Sequence, residues 1–313
     1  MSKLFIYSLL FFLFSFNTEN GEKIIKINAR EILNVNQGSG ENEIGVITPS
    51  EANPEGPMSF AIGRNEEIYI LDQLNKRIQV FKNGEKIKTI PIPEESFKDI
   101  ELINDKILLL DIDFKKSVYV IDHKGEIIKI IKIEGKLIPE AAEVVEIQAV
   151  QNGKWKGIWA YLGNRSVKIA DLDLSERERI SVPGKISQDG ERIFDIKIEG
   201  EATITIYIYE KGSLSNYNQG SIFLDAYVTN ILGIWDNKMG RIYVGVSLEE
   251  KDFSNYIVVI DSNFKEIGKF NLEVQKLPHE IWRSIRVSEK GSIYQLYLDE
   301  KKVYVKKFEP YFK

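Results

Sequence analysis

Oxygen ligands and cations stand singly along this chain, tens of residues apart, rather than in one motif. Asp99, Glu143, Glu146, Asp195 and Asn230 are the oxygen donors of interest. Were a fold to bring three of them to one point, they would suit calcium, which takes oxygen ligands at roughly 2.3–2.6 Å. Lys98, Arg192 and the pair Trp282-Arg283 offer something else: cations for a carboxylate, and a ring beside a guanidinium for a sugar or peptide. Other chemistries are excluded by composition. His123 and His279 are the only histidines and there is no cysteine, which rules out a three-histidine zinc site and a thiol nucleophile. Neither common glycine-rich phosphate loop is present. Asp111-Ile112-Asp113 and Asp171-Leu172-Asp173 alternate carboxylates but lack the ligand spacing of a calcium loop; in a strand, alternation puts both on one solvated face. Ser187-Gln188-Asp189-Gly190 reads as a turn, and residues 212–220 as a polar loop carrying Tyr217, equally suited to a contact loop or a mobile hairpin tip.

The elements that must position these residues are strands. Residues 56–90 read as four in a row. Phe60-Ala61-Ile62 is a short apolar run, Ile68-Tyr69-Ile70-Leu71 is β-branched and aromatic, and Arg77-Ile78-Gln79-Val80-Phe81 alternates at period two. Asn83-Gly84 then turns the chain into a fourth strand. Gly56-Pro57, Phe60-Ala61, Ile68-Tyr69, Asp72, Asn75 and Arg77 to Phe81 closely resemble an NHL repeat, one blade of a β-propeller in the TolB-like and NHL group of bacterial, exported six-bladed propellers. The resemblance implies an all-β fold of four-stranded antiparallel blades. The shortage of histidines separates this chain from the zinc-dependent amidating lyases that use such a propeller.

Weaker copies follow. Leu108-Leu109-Leu110-Asp111 and Ser117 to Ile121 repeat the second and third strands, with Asp111 falling 39 residues after Asp72. That recurrence points to a structural aspartate that caps a turn in each blade. A third copy spans residues 144–183, a fourth 191–227, a fifth 231–272 and a sixth, with three strands, 282–308. Tyr69, Leu108, Trp159, Tyr207, Tyr243 and Tyr294 mark the second strands. The strand missing from the sixth copy is supplied by residues 23–27, pairing beside residues 303–308. This predicts a six-bladed ring over residues 22–313, closed by an N-terminal strand, which leaves no open sheet edge. Residues 137–145 cross between blades.

In a propeller, a specific site draws unlike residues from several blades at the channel mouth. Where the inner strands are expected to begin stand Lys98, Asp99, Glu143, Arg192, Asn230, Trp282 and Arg283. They are candidate binding residues; none is assigned a catalytic role.

Charge and composition narrow the partners. The net charge is −5 with both signs interspersed, so nucleic acid is not expected. Residues 4–16 are apolar apart from two serines, too short for a span and suited to a signal peptide over residues 1–21. The chain is therefore expected outside the cytoplasm, periplasmic or extracellular, with no stable membrane insertion once the signal is cut. Without cysteine it carries neither lipid anchor nor disulfide. The expected function is an exported, non-catalytic binding ring for a protein, peptide or glycan, with no cofactor. One alternative resembles the calcium-dependent lactonases, with Asp99, Glu143 and Asn230 on one ion. Another is a structural part of a cell-envelope assembly.

Overall fold

The computed structural model describes residues 23–51, 53–93, 96–210, 213–249, 254–277 and 280–313. The expected signal segment and His279 lie outside these residues. The described strands form six four-stranded antiparallel sheets arranged as a six-bladed propeller. No helix among the described residues is long and apolar enough to cross a membrane.

From the channel outward, blade 1 is Phe60–Ile62, Ile68–Asp72, Arg77–Lys82 and Glu85–Pro91. Blade 2 is Phe97–Ile103, Lys106–Asp111, Ser117–Ile121 and Ile127–Lys132. Blade 3 is Glu146–Val150, Gly157–Tyr161, Arg165–Ala170 and Ser181–Pro183. Blade 4 is Lys185–Ile186, Arg192–Ile198, Thr203–Glu210 and Tyr217–Phe223. Blade 5 is Tyr227–Asp236, Ile242–Glu249, Ser254–Ile260 and Glu266–Asn271. Blade 6 is Ile285–Val287, Ile293–Leu298 and Lys302–Phe312, with Ile24–Asn36 outermost.

Sequence and burial agree on why these segments are strands. Ser117–Ile121 is buried at every position because a middle strand is covered on both faces by neighbouring blades. The outer strand Glu85–Pro91 is mostly exposed and alternates charges with isoleucines. Asn83 and Gly84 have φ of 53° and 82°, both left-handed, as a type I′ hairpin needs. The apolar core is divided among the blade interfaces. Phe97, Ile100, Leu109 and Tyr119 pack on Leu71, Ile78 and Ile90 between blades 1 and 2. Trp155, Trp159, Ile186 and Ile193 pack between blades 3 and 4, and Leu33, Phe60, Ile70, Leu296 and Val305 join blade 6 to blade 1.

Of the two repeated aspartates, only Asp111 caps a turn. Asp111 accepts the backbone N–H groups of Asp113, Phe114 and Lys115 at 2.9–3.0 Å. The buried Asp72 carboxylate instead accepts from Gly45 N–H at 2.8 Å, from Asn75 and from Arg77 Nε at 2.7 Å. Arg77 in turn donates to the carbonyls of Gly40 and Glu43, both at 2.7 Å, and Asn75 to that of Gly38. The motif residues of blade 1 thus clasp the segment that arrives from the closing strand.

Two more expectations need correction. Blade 4 starts one strand earlier than its sequence pattern suggests: Arg192–Ile198 is its second strand, Tyr207 lies in its third, and Tyr217–Phe223 is its outer strand rather than part of a loop. The inner strand Lys185–Ile186 has only two residues, one of them a lysine, too short for any pattern to register. The closing strand is also longer than residues 23–27 and differently registered. Ala29 to Val35 lie opposite Phe308 to Val303, while Ile27 meets Pro310. Arg30, Glu31 and Asn34, on its exposed side, hid its length.

Candidate functional site

All six inner strands run in the same direction along the channel, so the ring has a face where they begin and a face where they turn into the second strands. On this second, hairpin face lies a cavity of about 780 Å³. Its lining comes from every blade, for example Tyr69, Glu101, Gln148, Lys185, Trp235 and Arg286. Half-buried Tyr69 and His123 form one wall, their rings 6.1 Å apart and tilted. Arg64 crosses from blade 1 to donate to Gln151 of blade 3 at 3.0 Å.

The floor is a buried ionic network. The Arg283 guanidinium donates to Asp99 and to the Ile147 carbonyl through Nη2, and to Glu101 at 3.0 Å through Nη1. Its Nε is 3.7 Å from Glu146 and has no hydrogen-bond partner. Arg286 donates to Glu101 at 2.7 Å, to the Phe60 carbonyl at 2.7 Å and to the Ile100 carbonyl. Asp99, fully buried, also accepts from the Ser59 hydroxyl at 2.7 Å and from the N–H groups of Ile100 and Ile147 at 2.9 and 3.0 Å. Lys185 pairs with Glu146 at 2.7 Å and lies 5.3 Å above the Trp235 ring. Blades 1, 2, 3, 4 and 6 meet in this network.

Burial would push the Glu146 carboxyl up, but Lys185 and Arg283 outweigh it and hold it at about 2. Burial lowers Lys185, an effect that Glu146 opposes and Arg283 adds to. Asp236, at the rim, behaves in the opposite way: burial dominates over its N–H bond from Gln188 and over Arg192, and pushes it up to about 6. The folded protein therefore holds a proton on Asp236 at pH values where the unfolded chain, with an aspartate near 3.9, has lost it. Stability is expected to fall as pH rises from about 4 to about 6 through this group. Asp236→Asn should flatten that slope in urea midpoints taken across the range; an unchanged slope would place the dependence elsewhere.

No protein-family model and no curated protein matches the chain. Three solved structures are similar over most of the chain. A virginiamycin B lyase from Staphylococcus aureus is 12% identical, with TM-score 0.48, covering 91% of this chain and 100% of its own. A DUF4221 family member from Bacteroides vulgatus is 12% identical, with TM-score 0.46, covering 91% and 99%. A streptogramin B lyase is 11% identical, with TM-score 0.47, covering 91% and 98%. The ring assignment rests on the strand pairing itself.

The structure brings some candidate residues together and disperses others. Asp99 and Arg283 form the centre of the floor, and Glu146 joins them. Trp282 precedes the blade 6 inner strand, donates its backbone N–H to the Met58 carbonyl at 2.7 Å and packs on the cluster between blades 2 and 3. Lys98 pairs with Asp113 at 3.3 Å, and Glu143 with Arg165 at 3.2 Å. Asn230 is exposed in the first half of the blade 5 inner strand. Arg192 pairs with Asp236 at 3.0 Å, beside the hairpin-face cavity rather than at an inner-strand start. Asp99, Glu143 and Asn230 share no partner, and the Asp99 oxygens are already engaged. No group of three His, Cys, Asp or Glu among the described residues could hold a metal ion.

Sequence reasoning missed Glu101, Gln148, Lys185, Arg286 and Asp236. Period two would have reached two of them: on an inner strand, Glu101 shares the face of Asp99, and Gln148 that of Glu146. Lys185 lies on a two-residue inner strand, too short to carry a pattern.

Proposed function

We propose that this chain is an exported, non-catalytic binding propeller that takes a protein, peptide or glycan at the hairpin face of the ring. The observation that carries this reading is the cavity of about 780 Å³ lined from all six blades, since only the closed ring builds it. Its volume lies within the roughly 300–1,000 Å³ of ordinary ligand sites. Unlike residues from successive blades give such a site its specificity, on a scaffold that ordinarily hosts many functions. The floor favours binding over proton transfer. Its carboxylates are paired with cations, and Glu146, at about 2, carries no proton to exchange near neutrality. The blade 1 clasp through Asp72, Asn75 and Arg77 supports an NHL-type ring as the parent architecture. Export is supported by the apolar residues 4–16; N-terminal sequencing of the native protein should start near residue 22, and a chain still starting at Met1 would remove cleavage from the account.

An array of peptides and oligosaccharides tests the binding face. Gln148→Trp or Ser288→Trp, which fill the cavity, should abolish the binding seen with the unaltered protein. Glu143→Trp and Asn230→Trp, away from the cavity, should leave it intact. The reverse pattern would move the site to the other face.

A further inference from the structure

We propose that the hairpin-face cavity takes an acidic oligosaccharide, a carboxylate of which docks on Arg64 and Lys290 at the mouth. This rests on the reading of that cavity as the binding site and names its ligand class.

The sign of the charge follows from which groups are already paired. Every carboxylate in the lining has a cation beside it. In the floor, Glu101 is held by Arg283 and Arg286, and Glu146 by Lys185. Around the mouth, Glu66 pairs with Lys307 at 2.9 Å, Glu67 with Lys82 at 3.2 Å, Asp236 with Arg192 at 3.0 Å, and Glu289 with Lys238. Lys106 is likewise taken, by Asp105 at 2.9 Å. Arg64 and Lys290 are the lining cations that, among the described residues, form no ion pair. Both are exposed, so an arriving carboxylate reaches them without breaking a buried pair.

The two cations stand on neighbouring hairpins. Arg64 is in the turn between the first two strands of blade 1, and Lys290 in the matching turn of blade 6. The bond from Lys307 holds the Glu66 carboxyl below its ordinary range, and Lys290 adds to this, which sets Lys290 against the turn that carries Arg64. Arg64 has neutral partners only: its Nη2 donates to Gln151 Oε1 at 3.0 Å and to Asn104 Oδ1 at 3.5 Å. A guanidinium has five N–H donors, so Nε and Nη1 remain for a carboxylate, with charge-assisted bonds that amide oxygens do not give.

The surroundings favour a sugar over an acidic peptide. Asn104, Gln151 and Asn152, on the blade 2 and blade 3 hairpins, bring amides to the mouth. An amide sets donors beside an acceptor, as adjacent sugar hydroxyls require. The half-buried Tyr69 and His123 rings, 6.1 Å apart, offer the apolar surface on which a sugar ring stacks.

The test is an array of uronate-bearing and neutral oligosaccharides, followed by calorimetry with the best uronate oligosaccharide, its carboxyl-reduced form and triglutamate. The uronate sugar should bind, and more weakly as NaCl rises from about 50 to about 500 mM, because exposed ion pairs are screened. Arg64→Gln should weaken it about fivefold, as the loss of one exposed ion pair does. Lys290→Gln should act similarly, and Arg64→Lys should recover part of the loss. Lys98→Gln, away from the cavity, should change nothing. Both mouth cations are exposed, so these variants should melt as the unaltered protein does. A carboxyl-reduced sugar that binds as tightly as the uronate overturns the proposal, as does an array with no uronate sugar bound. Triglutamate binding more tightly than any sugar, and lost in Arg64→Gln, would keep the cavity and remove the sugar. A uronate sugar indifferent to Arg64→Gln, Lys290→Gln and the cavity-filling Gln148→Trp would remove the cavity as the site as well.

Discussion

Arg283→Met is expected to destabilise the ring by about 3–5 kcal/mol, the usual cost of breaking a buried ion pair from one side. Arg283 is 8% exposed and holds Asp99, Glu101 and the Ile147 carbonyl at the centre of the channel. Methionine fills part of the space but leaves Asp99, fully buried, without its strongest counter-charge. The direction with pH identifies the cause. In the variant the unpaired carboxylate should bind a proton more readily when folded than when unfolded. The deficit should therefore shrink as pH is lowered from about 7 towards 4. Urea unfolding across that range measures it. The Lys98–Asp113 pair is partly exposed, so Lys98→Met should cost less than about 1 kcal/mol. A deficit for Arg283→Met that small, or one unchanged by pH, would mean that the network is not what joins the blades.

Removal of residues 23–36 should have a still larger effect: loss of a stable, soluble monomer. Ile24–Asn36 pairs along nearly its whole length with Lys302–Phe312. Its Leu33 and Val35 belong to the cluster joining blade 6 to blade 1, and Ile24 and Ile27 pack on the cluster joining blade 5 to blade 6. Without it, an eleven-residue strand presents a bare edge of N–H and C=O groups, the feature that leads to aggregation. The clasp of blade 1 on residues 38–45 is left in place, so the loss is attributable to the strand. A peptide of residues 23–37 added during refolding should restore the ring. A truncated chain that stays monomeric and melts as before would refute closure by the two chain ends.

Much of this architecture was legible because middle strands of a propeller advertise themselves. Leu108-Leu109-Leu110-Asp111 and Ile70-Leu71-Asp72 are covered on both faces, so selection for apolar residues is continuous; the aspartate that ends each is buried, Asp111 capping the next turn and Asp72 holding Gly45, Asn75 and Arg77. Inner and outer strands are less readable for a physical reason. Outer strands such as Tyr217–Phe223 are half in solvent, and their Asn, Gln, Gly and Ser composition looks like a loop. Inner strands trade apolar residues for charges that face the channel, so Lys185–Ile186 carried no strand signal at all. The same trade explains the site. Asp99 and Arg283 could be named from position along their blades, but that they meet depends on the radial geometry of the ring. Glu143 and Lys98, equally plausible in sequence, turn instead to Arg165 and Asp113.

The central claim is that the hairpin face is the binding face. Backbone hydrogen exchange with and without the best ligand from the array tests it most directly. The account predicts slowed exchange in residues 63–67, 148–152 and 286–290, which line the cavity in blades 1, 3 and 6. Slowing confined to the surroundings of Lys98, Glu143 and Asn230, with the hairpins unchanged, would contradict it.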